Sequence, residues 1–167
     1  MKRIMVLGCC GAGKSTLSKK LAARLDIPLF HLDQYYWKPN WVESEKVEWE
    51  KVVQELATKE TWLIDGNYSG TIDIRLQRAD TVIYLDYPTI VCMWRVLKRI
   101  KNNWKRVRPD MPAGCPERLD AEFLHYVLTF NIRKRASILA KLKAVEQEKK
   151  VLILQNDKAV ASFLVKL

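Results

Sequence analysis

The residues best suited to chemistry lie in a glycine-rich stretch near the start of the chain. Residues 8–15 read GCCGAGKS and match the pattern G-x-x-x-x-G-K-[ST] at every fixed position. Glycines let the backbone wrap around phosphate oxygens, while Lys14 adds a fixed positive charge and the Ser15 hydroxyl can ligate Mg²⁺. The pattern predicts a nucleotide phosphate site, with a chance glycine-rich turn as the alternative. The predicted residues are Gly8, Gly11, Ala12, Gly13, Lys14, Ser15 and Thr16.

Acidic residues follow three of the apolar runs in the sequence. Phosphoryl transfer needs carboxylates that hold the metal directly or through its waters, and Asp33, Asp65 and Asp86 each come directly after such a run. Since ligands of open α/β sheets gather at the carboxyl ends of strands, all three are candidates. The alternative for each is a helix N-cap or a solvated loop acid, and it weighs most heavily for Asp86.

Arginines are concentrated in the second half of the chain. Arg95 and Arg99 are one helical turn apart and share a face. Because the charge in phosphoryl transfer spreads over phosphate oxygens, guanidinium groups can stabilise the transition state. A solvated basic face is the alternative for any single arginine. The further candidates are Arg106, Arg108, Arg118, Arg133 and Arg135.

Alternating apolar runs and helical stripes predict the elements that position these residues. Strands are predicted at 3–7, 29–32, 61–64, 81–85 and 150–154. Helices are predicted at 14–25, 44–59 with Ser44 as N-cap, 91–100, 119–147 and 159–165. Continuously apolar strands that alternate with helices indicate a parallel, doubly wound α/β sheet. Segment 102–118 is polar, basic and broken by prolines, so we predict that it is a mobile lid.

Composition and charge limit the choice of partner. The 167 residues contain 29 Lys and Arg against 19 Asp and Glu, and the net charge of +10 favours an anionic partner. The length fits a single domain over 1–167.

The first apolar run is stopped by Gly8 and Lys14, which argues against an export signal, and no run is long enough to cross a bilayer. The four cysteines form neither a paired CxxC zinc motif nor a regular disulfide framework, so we expect reduced thiols. We therefore expect a cytoplasmic protein without a membrane partner.

Aromatic residues follow the second predicted strand. Tyr35, Tyr36, Trp37 and Trp41 could stack on a base or line a substrate pocket, and core packing is the alternative. His31, within the strand itself, is expected to pack rather than to act in catalysis.

The motifs taken together resemble a known family. In chain order they read GCCGAGKST, FHLDQYYWKPNW, WLIDGNYSGT, VIYLDYP, WRVLKR, RPDMPAGCPER and FNIRKR. Their order and spacing over essentially the whole chain resemble the bacterial DNA topology modulation proteins, a branch of the adenylate-kinase-related P-loop kinases. The resemblance implies a P-loop NTPase three-layer sandwich whose five parallel strands have the order 2-3-1-4-5, with a lid between helices.

The resemblance also implies roles on the acceptor side of the site. It places Asp33 and Asp65 near Mg²⁺ and the acceptor. Asp33 is implied to be a catalytic residue, and Ser15 and Asp65 are implied to bind the metal. Gly66 and Asn67 are implied to bind the substrate. Adenylate kinases follow this strand with Asp-Gly-Phe-Pro-Arg, whereas residues 65–69 here read DGNYS, so the arginine that would hold an AMP phosphate is missing from its place.

On the donor side the resemblance implies a set of cations. Arg95 is implied to bind ATP, and Arg106 and Arg108 to bind substrate as the lid closes. Only Cys115 lies in the lid segment, so a four-cysteine zinc lid is not expected. The implied catalytic cations are Lys14, Arg99, Arg133 and Arg135.

These features predict an ATP-binding, Mg²⁺-dependent phosphotransferase that acts on a small molecule such as a nucleotide or nucleoside. One alternative is a nucleotide-binding regulatory protein that influences DNA topology through a basic surface with little catalysis, and another is a plain ATPase. The sequence contains no helix-turn-helix or zinc-finger motif, so any DNA binding is expected to be weak and independent of sequence.

Overall fold

A parallel five-stranded sheet lies at the centre of the computed structural model, which describes residues 1–167. The strands are β1 (Arg3–Gly8), β2 (Leu29–His31), β3 (Trp37–Lys38), β4 (Val42–Glu43), β5 (Trp62–Asp65), β6 (Thr81–Leu85) and β7 (Lys150–Leu154). The helices are α1 (Lys14–Leu25), α2 (Leu32–Tyr36), α3 (Lys46–Thr58), α4 (Ile72–Arg78), α5 (Thr89–Asn102), α6 (Ala121–Arg133), α7 (Arg135–Val145) and α8 (Asp157–Val165). Single 3₁₀ turns form at Pro39–Trp41 and Ser69–Thr71.

The strand order of the sheet is β2-β5-β1-β6-β7, and every pairing within it is parallel. Numbering these five strands alone gives 2-3-1-4-5, so the predicted α/β fold class and order are confirmed. The remaining strands, β3 and β4, form a separate antiparallel ribbon that was not predicted. All residues of β5 and β6 are buried, as expected for strands covered by helices on both faces.

The order of the strands determines where a ligand can bind. The chain leaves β1 for β2 on one side of the sheet and later returns to place β6 on the other side. The crevice at the carboxyl end of β1 is therefore the point at which the connections diverge, and ligands of open α/β sheets bind there. The loop from β1 to α1 contains the glycine-rich motif.

Three local predictions were wrong in detail. The helix predicted at 119–147 is divided at Lys134 into α6 and α7. Ser44 does not cap α3; its hydroxyl donates to the Tyr36 carbonyl at 2.6 Å, and α3 begins at Lys46 without a side-chain cap. The second strand ends at His31, so Asp33 lies in the first turn of the short helix α2.

The lid segment, residues 102–118, is an irregular loop that returns on itself. The Lys105 amide donates to the Glu117 carbonyl at 3.0 Å, and the Glu117 amide donates to the Arg106 carbonyl at 2.9 Å. The segment also contacts the region after β2, where the Gln34 side-chain amide donates to the Pro109 carbonyl at 2.8 Å. None of the helices in the fold has the length and apolar character required to cross a membrane.

Candidate functional site

The glycine-rich loop joins β1 to α1 in a conformation that two of its positions restrict to glycine. Gly8 and Gly11 have φ values of 146° and 83°. A Cβ atom on Gly8 would lie 2.7 Å from the Leu85 carbonyl oxygen, and one on Gly11 would lie 2.4 Å from the Cys92 carbonyl oxygen. The loop is therefore packed tightly against β6 and α5, and a larger residue at either position would displace it.

The inner face of the loop is suited to an anion. The first turn of α1 contains no acidic residue and no side-chain cap, and the first amides of a helix have no helical carbonyl to bond. Lys14 Nζ donates to the carbonyls of Gly8 at 2.8 Å and Cys9 at 3.2 Å. The helix N-terminus and the Lys14 ammonium thus concentrate positive charge in one concave loop.

Asn67 supports the loop from behind. Its side-chain oxygen accepts from the Gly8 amide at 3.1 Å, and its side-chain nitrogen donates to the Gly8 carbonyl at 2.9 Å. This reciprocal pair fixes the point at which the chain leaves β1. Asn67 does not line the cleft, so its contacts are those of a positioning residue.

A cleft of about 640 Å³ opens in front of this loop, at the carboxyl ends of β1, β5 and β6. Its size is that of a small-molecule site. From the predicted site residues it brings together Gly11, Ala12, Gly13, Lys14, Ser15, Thr16, Asp33, Asp65, Gly66, Arg95, Arg99 and Arg108. Further polar residues of its lining are Lys19, Lys20, Tyr87, Asp110 and Asp157.

Asp65 is held at the end of β5 by a neighbouring strand. His31, the last residue of β2, donates from Nδ1 to Asp65 Oδ1 at 2.9 Å, and both side chains are buried. The register of the two strands places these residues directly opposite each other. The second oxygen, Asp65 Oδ2, is buried and has no hydrogen-bond partner in the protein.

Asp33 is oriented by a tyrosine. The Tyr68 hydroxyl donates to Asp33 Oδ1 at 2.6 Å. Burial and the adjacent Asp33 carboxylate raise the pKa of Tyr68 well above its usual value, so the hydroxyl remains a donor at neutral pH. Asp33 therefore presents its other oxygen in a fixed orientation on the β2 side of the cleft.

A network of ion pairs crosses the lid side of the cleft. Glu117, only 5% exposed, accepts from Arg99 Nη2 at 2.9 Å, and its other oxygen lies 2.7 Å from Arg108 Nε without hydrogen-bond alignment. Arg108 Nη1 donates to Asp110 at 2.7 Å. Burial would raise the pKa of Asp110, but the Arg108 guanidinium, a backbone amide and the Ser15 hydroxyl together lower it below its usual value.

On the far side of the cleft, Arg95 is bound by α8. Its Nη2 donates to Asp157 Oδ2 at 2.6 Å, and its guanidinium lies 5.0 Å from the centre of the Tyr87 ring. The Tyr87 hydroxyl donates to Asp157 Oδ1 at 2.7 Å. These hydrogen bonds, from Tyr87 and then from Arg95, hold the pKa of Asp157 below its usual value.

Several predicted site residues lie outside the cleft. Arg106 and Arg133 are exposed and do not line it. Arg135 makes a two-bond ion pair with Asp86, at 2.7 and 2.9 Å. This pair raises the pKa of Arg135 and joins the end of β6 to the start of α7. Gly8 lies behind the loop, next to Asn67, and neither residue lines the cleft; the candidates Asp86 and Arg118 also lie outside it.

Sequence reasoning missed four residues that shape the cleft. His31 was expected only to pack. Once the strand order is assumed, the register of β2 and β5 places His31 opposite Asp65 and could have identified it as a partner of that carboxylate. Tyr68 lies three residues after Asp65, within the quoted motif. Glu117 gave no local signal, because its partner Arg99 lies 18 positions away on α5. Asp110 lies only two positions from its partner Arg108, but such a short acid–arginine spacing does not by itself mark a site.

The aromatic residues after β2 pack on one another. The Tyr36 ring lies 5.1 Å from that of Trp49 and 4.6 Å from that of Tyr68, measured between centroids. Trp37 lies 5.5 Å from Trp41. None of these rings lines the cleft, so the packing alternative describes them better than base stacking.

Comparison with known proteins places the chain among nucleotide-binding folds. The AAA domain family profile matches residues 4–125. Uncharacterized protein YqaC of Bacillus subtilis (strain 168) is 30% identical over 115 residues, and the match covers 68% of this chain and 63% of that protein. The chain thus spans less than two thirds of this curated relative.

Solved structures of kinases share the fold. Shikimate kinase from Acinetobacter baumannii, in complex with shikimate, has a TM-score of 0.59 at 18% identity, covering 99% of this chain and 90% of the kinase. A gluconokinase from Sinorhizobium meliloti 1021 has a TM-score of 0.53 at 14% identity, covering 99% of this chain and 92% of the kinase. At these identities the likeness establishes the fold, which is that of the P-loop kinases.

Proposed function

The chain belongs to the AAA domain family, and from that premise we propose that it is an ATP-binding, Mg²⁺-dependent phosphotransferase that acts on a small molecule. The P-loop kinase fold supports nucleotide-dependent phosphotransfer in general. The observation that favours the finer proposal is one cleft that contains a complete phosphate loop, two carboxylates and paired arginines. Influence on DNA topology remains a prediction of the sequence resemblance.

The residues present fit Mg²⁺ that is held largely by phosphate oxygens and water. No group of three or more His, Cys, Asp or Glu side chains forms a metal site by itself. The Ser15 hydroxyl and Asp65 both belong to the cleft, and Asp65 has one buried oxygen without a partner. One or two protein oxygens together with substrate phosphates is the usual way in which proteins bind Mg²⁺. When bound, the ion would neutralise charge on the transferred phosphate.

The donor half of the reaction uses the loop and the cations. The loop amides and Lys14 bind the β- and γ-phosphates, because the positive N-terminus of α1 attracts negative charge. Arg99 and Arg108, which share Glu117, stabilise charge on the phosphate oxygens during transfer. Arg95, on α5 beside α8, contacts the nucleotide further out.

The acceptor half uses Asp33. With its Oδ1 bound by Tyr68, the free Asp33 oxygen orients an acceptor hydroxyl and takes its proton. The hydroxyl oxygen forms a bond to the γ-phosphorus as the bond to the ADP oxygen breaks. The products are ADP and a phosphate ester, and the proton leaves from Asp33 to solvent.

Substitution of Lys14 tests the phosphate site. We expect Lys14→Ala to weaken Mg·ATP binding by about 100-fold, because it removes a charge that bonds phosphate at short range. Calorimetric titration of the wild type, Lys14→Ala and the control Lys46→Ala measures this. Lys46 is exposed on α3 and away from the cleft, so its variant is expected to bind as the wild type does. Equal affinity in Lys14→Ala and wild type would refute the proposal.

A further inference from the structure

Resting on the phosphotransferase proposal, we infer that the acceptor carries no negative charge: it is an uncharged or cationic hydroxyl compound. Four carboxylates line the cleft: Asp110 and Asp157 are each paired with an arginine, whereas Asp33 and Asp65 have no cationic arginine or lysine partner. The carboxylates of Asp33 and Asp65 form the wall at the ends of β2 and β5. The cations of the cleft lie on α1, on α5 and in the lid segment: Lys14, Lys19, Lys20, Arg95, Arg99 and Arg108.

The wall formed by Asp33 and Asp65 offers hydrogen-bond acceptors. Asp33 has one oxygen bound by Tyr68, and Asp65 has one bound by His31. Each therefore has a second oxygen with lone pairs. That of Asp65 is the buried oxygen proposed above to face Mg²⁺, so the second oxygen of Asp33 is the one that meets the acceptor. A carboxylate only accepts hydrogen bonds, so a matching ligand presents donors, namely hydroxyl or ammonium groups.

The first arginine after β5 is committed elsewhere. Arg75 is 0% exposed, and it donates to the carbonyls of Gly66 at 2.7 Å, Asn67 at 2.5 Å, and Tyr68 and Thr71 at 3.3 Å. Burial lowers the pKa of Arg75 to about 9, so it remains protonated at neutral pH. Its charge shapes the backbone after β5 and is not available to bind an anionic substrate.

Arg108, the lid cation of the cleft, is already paired with protein carboxylates, and its remaining charge is assigned above to the transferred phosphate. It lies between two carboxylates, with Asp110 2.7 Å from Nη1 and Glu117 2.7 Å from Nε. Bound ATP adds further negative charge to the same cleft. A phosphate or carboxylate on the acceptor would then face like charges in a partly buried site, where their repulsion is weakly screened. A neutral or cationic acceptor avoids this repulsion.

Matched acceptors that differ in charge test the inference. The probes are adenosine against AMP, thymidine against dTMP, ribitol against ribonate, and glucosamine against gluconate, each with wild-type protein and Mg·ATP. Phosphorus NMR separates phosphate esters from the inorganic phosphate of hydrolysis. We expect kcat/KM to favour the uncharged or cationic member of a pair by about 100-fold. Preferred transfer to any anionic member would overturn the inference while leaving the phosphotransferase proposal standing.

A variant pair links the preference to the wall. Asp65→Asn should reduce the preference for the uncharged member by about tenfold, because it removes one like charge at the acceptor. Asp73→Asn is the control, since that carboxylate is 63% exposed and bound to Lys141 outside the cleft. An unchanged preference in Asp65→Asn, with the fold intact by circular dichroism, would contradict the inference. The wild-type comparison remains decisive if the variant does not fold. Mg·ATP binding without transfer to any compound refutes the phosphotransferase proposal, and the inference falls with it.

Discussion

At the scale of single residues, one buried carboxylate holds two of the arginines that line the cleft. Glu117 contacts both Arg99 and Arg108, which line the cleft from α5 and from the lid segment. Two guanidiniums held by one acid lie close together in spite of their repulsion. In the proposed reaction, a substrate phosphate would therefore meet a preformed pair of cations, which would reduce the reorganisation needed during transfer.

We expect Glu117→Gln to lower kcat by about 10- to 100-fold while changing the Kd of Mg·ATP much less, because the arginines act mainly on charge that develops during transfer. Steady-state kinetics and calorimetry give the two quantities. The exposed Glu148 provides the control, and Glu148→Gln should behave as the wild type does. A loss confined to ATP affinity, with kcat retained, would show that Glu117 does not position the arginines for transfer.

The sequence predicted residues whose roles are local and missed those whose roles arise from packing. The loop from Gly8 to Ser15 was identified because its glycines, lysine and serine are contiguous and lie between a strand and a helix. Glu117 pairs with Arg99 across 18 positions, and nothing in the sequence around either residue marks the contact. Arg135 matched the expected composition of the site, yet folding places it on Asp86.

At the scale of elements, Asp80 joins two neighbouring strands of the central sheet, β1 and β6, at their amino-terminal ends. This residue precedes β6, and its carboxylate accepts from the amides of Lys2 and Arg3 at 2.8 and 2.9 Å and from the Thr81 hydroxyl at 2.8 Å. Burial would raise the pKa of Asp80, but the bonds from Thr81 and from the two amides lower it below its usual value. The start of β1 is thereby joined to the start of β6.

Asp80→Asn is expected to reduce the free energy of unfolding by about 1 kcal/mol at pH 7, since the bonds to a charged acceptor become bonds to a neutral one. The folded pKa lies below the unfolded value, so this stabilisation is complete above the unfolded pKa near 4 and is lost as pH falls through the folded pKa. Urea unfolding at pH 7 and pH 3 measures the difference, which should shrink at pH 3. A loss of unfolding free energy in Asp80→Asn that is equal at pH 7 and pH 3 would contradict the prediction. A loss equal to that of the exposed control Glu60→Gln would also contradict it.

The helices show which structural details the sequence does not encode. Val127, Phe130, Ile138 and Leu142 are buried, and their spacing fits one continuous amphipathic helix. The break at Lys134 preserves the same buried face, so the apolar pattern continues across it and does not reveal it. The five strands of the parallel sheet were predicted to within one residue at each end because their apolar runs are continuous. Those runs do not determine the strand order, which followed from the family resemblance.

At the scale of the whole molecule, the lid segment connects the two sides of the cleft. It contacts α5 through the Arg99–Glu117 pair and contacts the region after β2 through Gln34. Both substrates would therefore meet the same segment, the nucleotide from one side and the acceptor from the other. If the segment closes as a lid, closure on one substrate would bring its residues toward the other.

We expect amide hydrogen exchange in 102–118 to slow when Mg²⁺ and a non-hydrolysable ATP analogue bind, because phosphate contacts with Arg99 and Arg108 order the segment. Mass spectrometry of peptic fragments measures this. Residues 145–150, from the end of α7 to the start of β7, lie outside the cleft; they are the internal control and should exchange as before. Exchange in 102–118 that ignores the nucleotide would argue against a lid.

The docking of the lid segment is made largely through its main chain. Gln34 and the indole of Trp41 donate to the carbonyls of Pro109 and Pro116, and the Asn40 amide donates to the carbonyl of Gly114. Bonds to carbonyl oxygens do not depend on which side chains the segment has. Side chains of the segment that make no ion pair with α5 can therefore diverge in evolution without loosening this attachment to the region after β2.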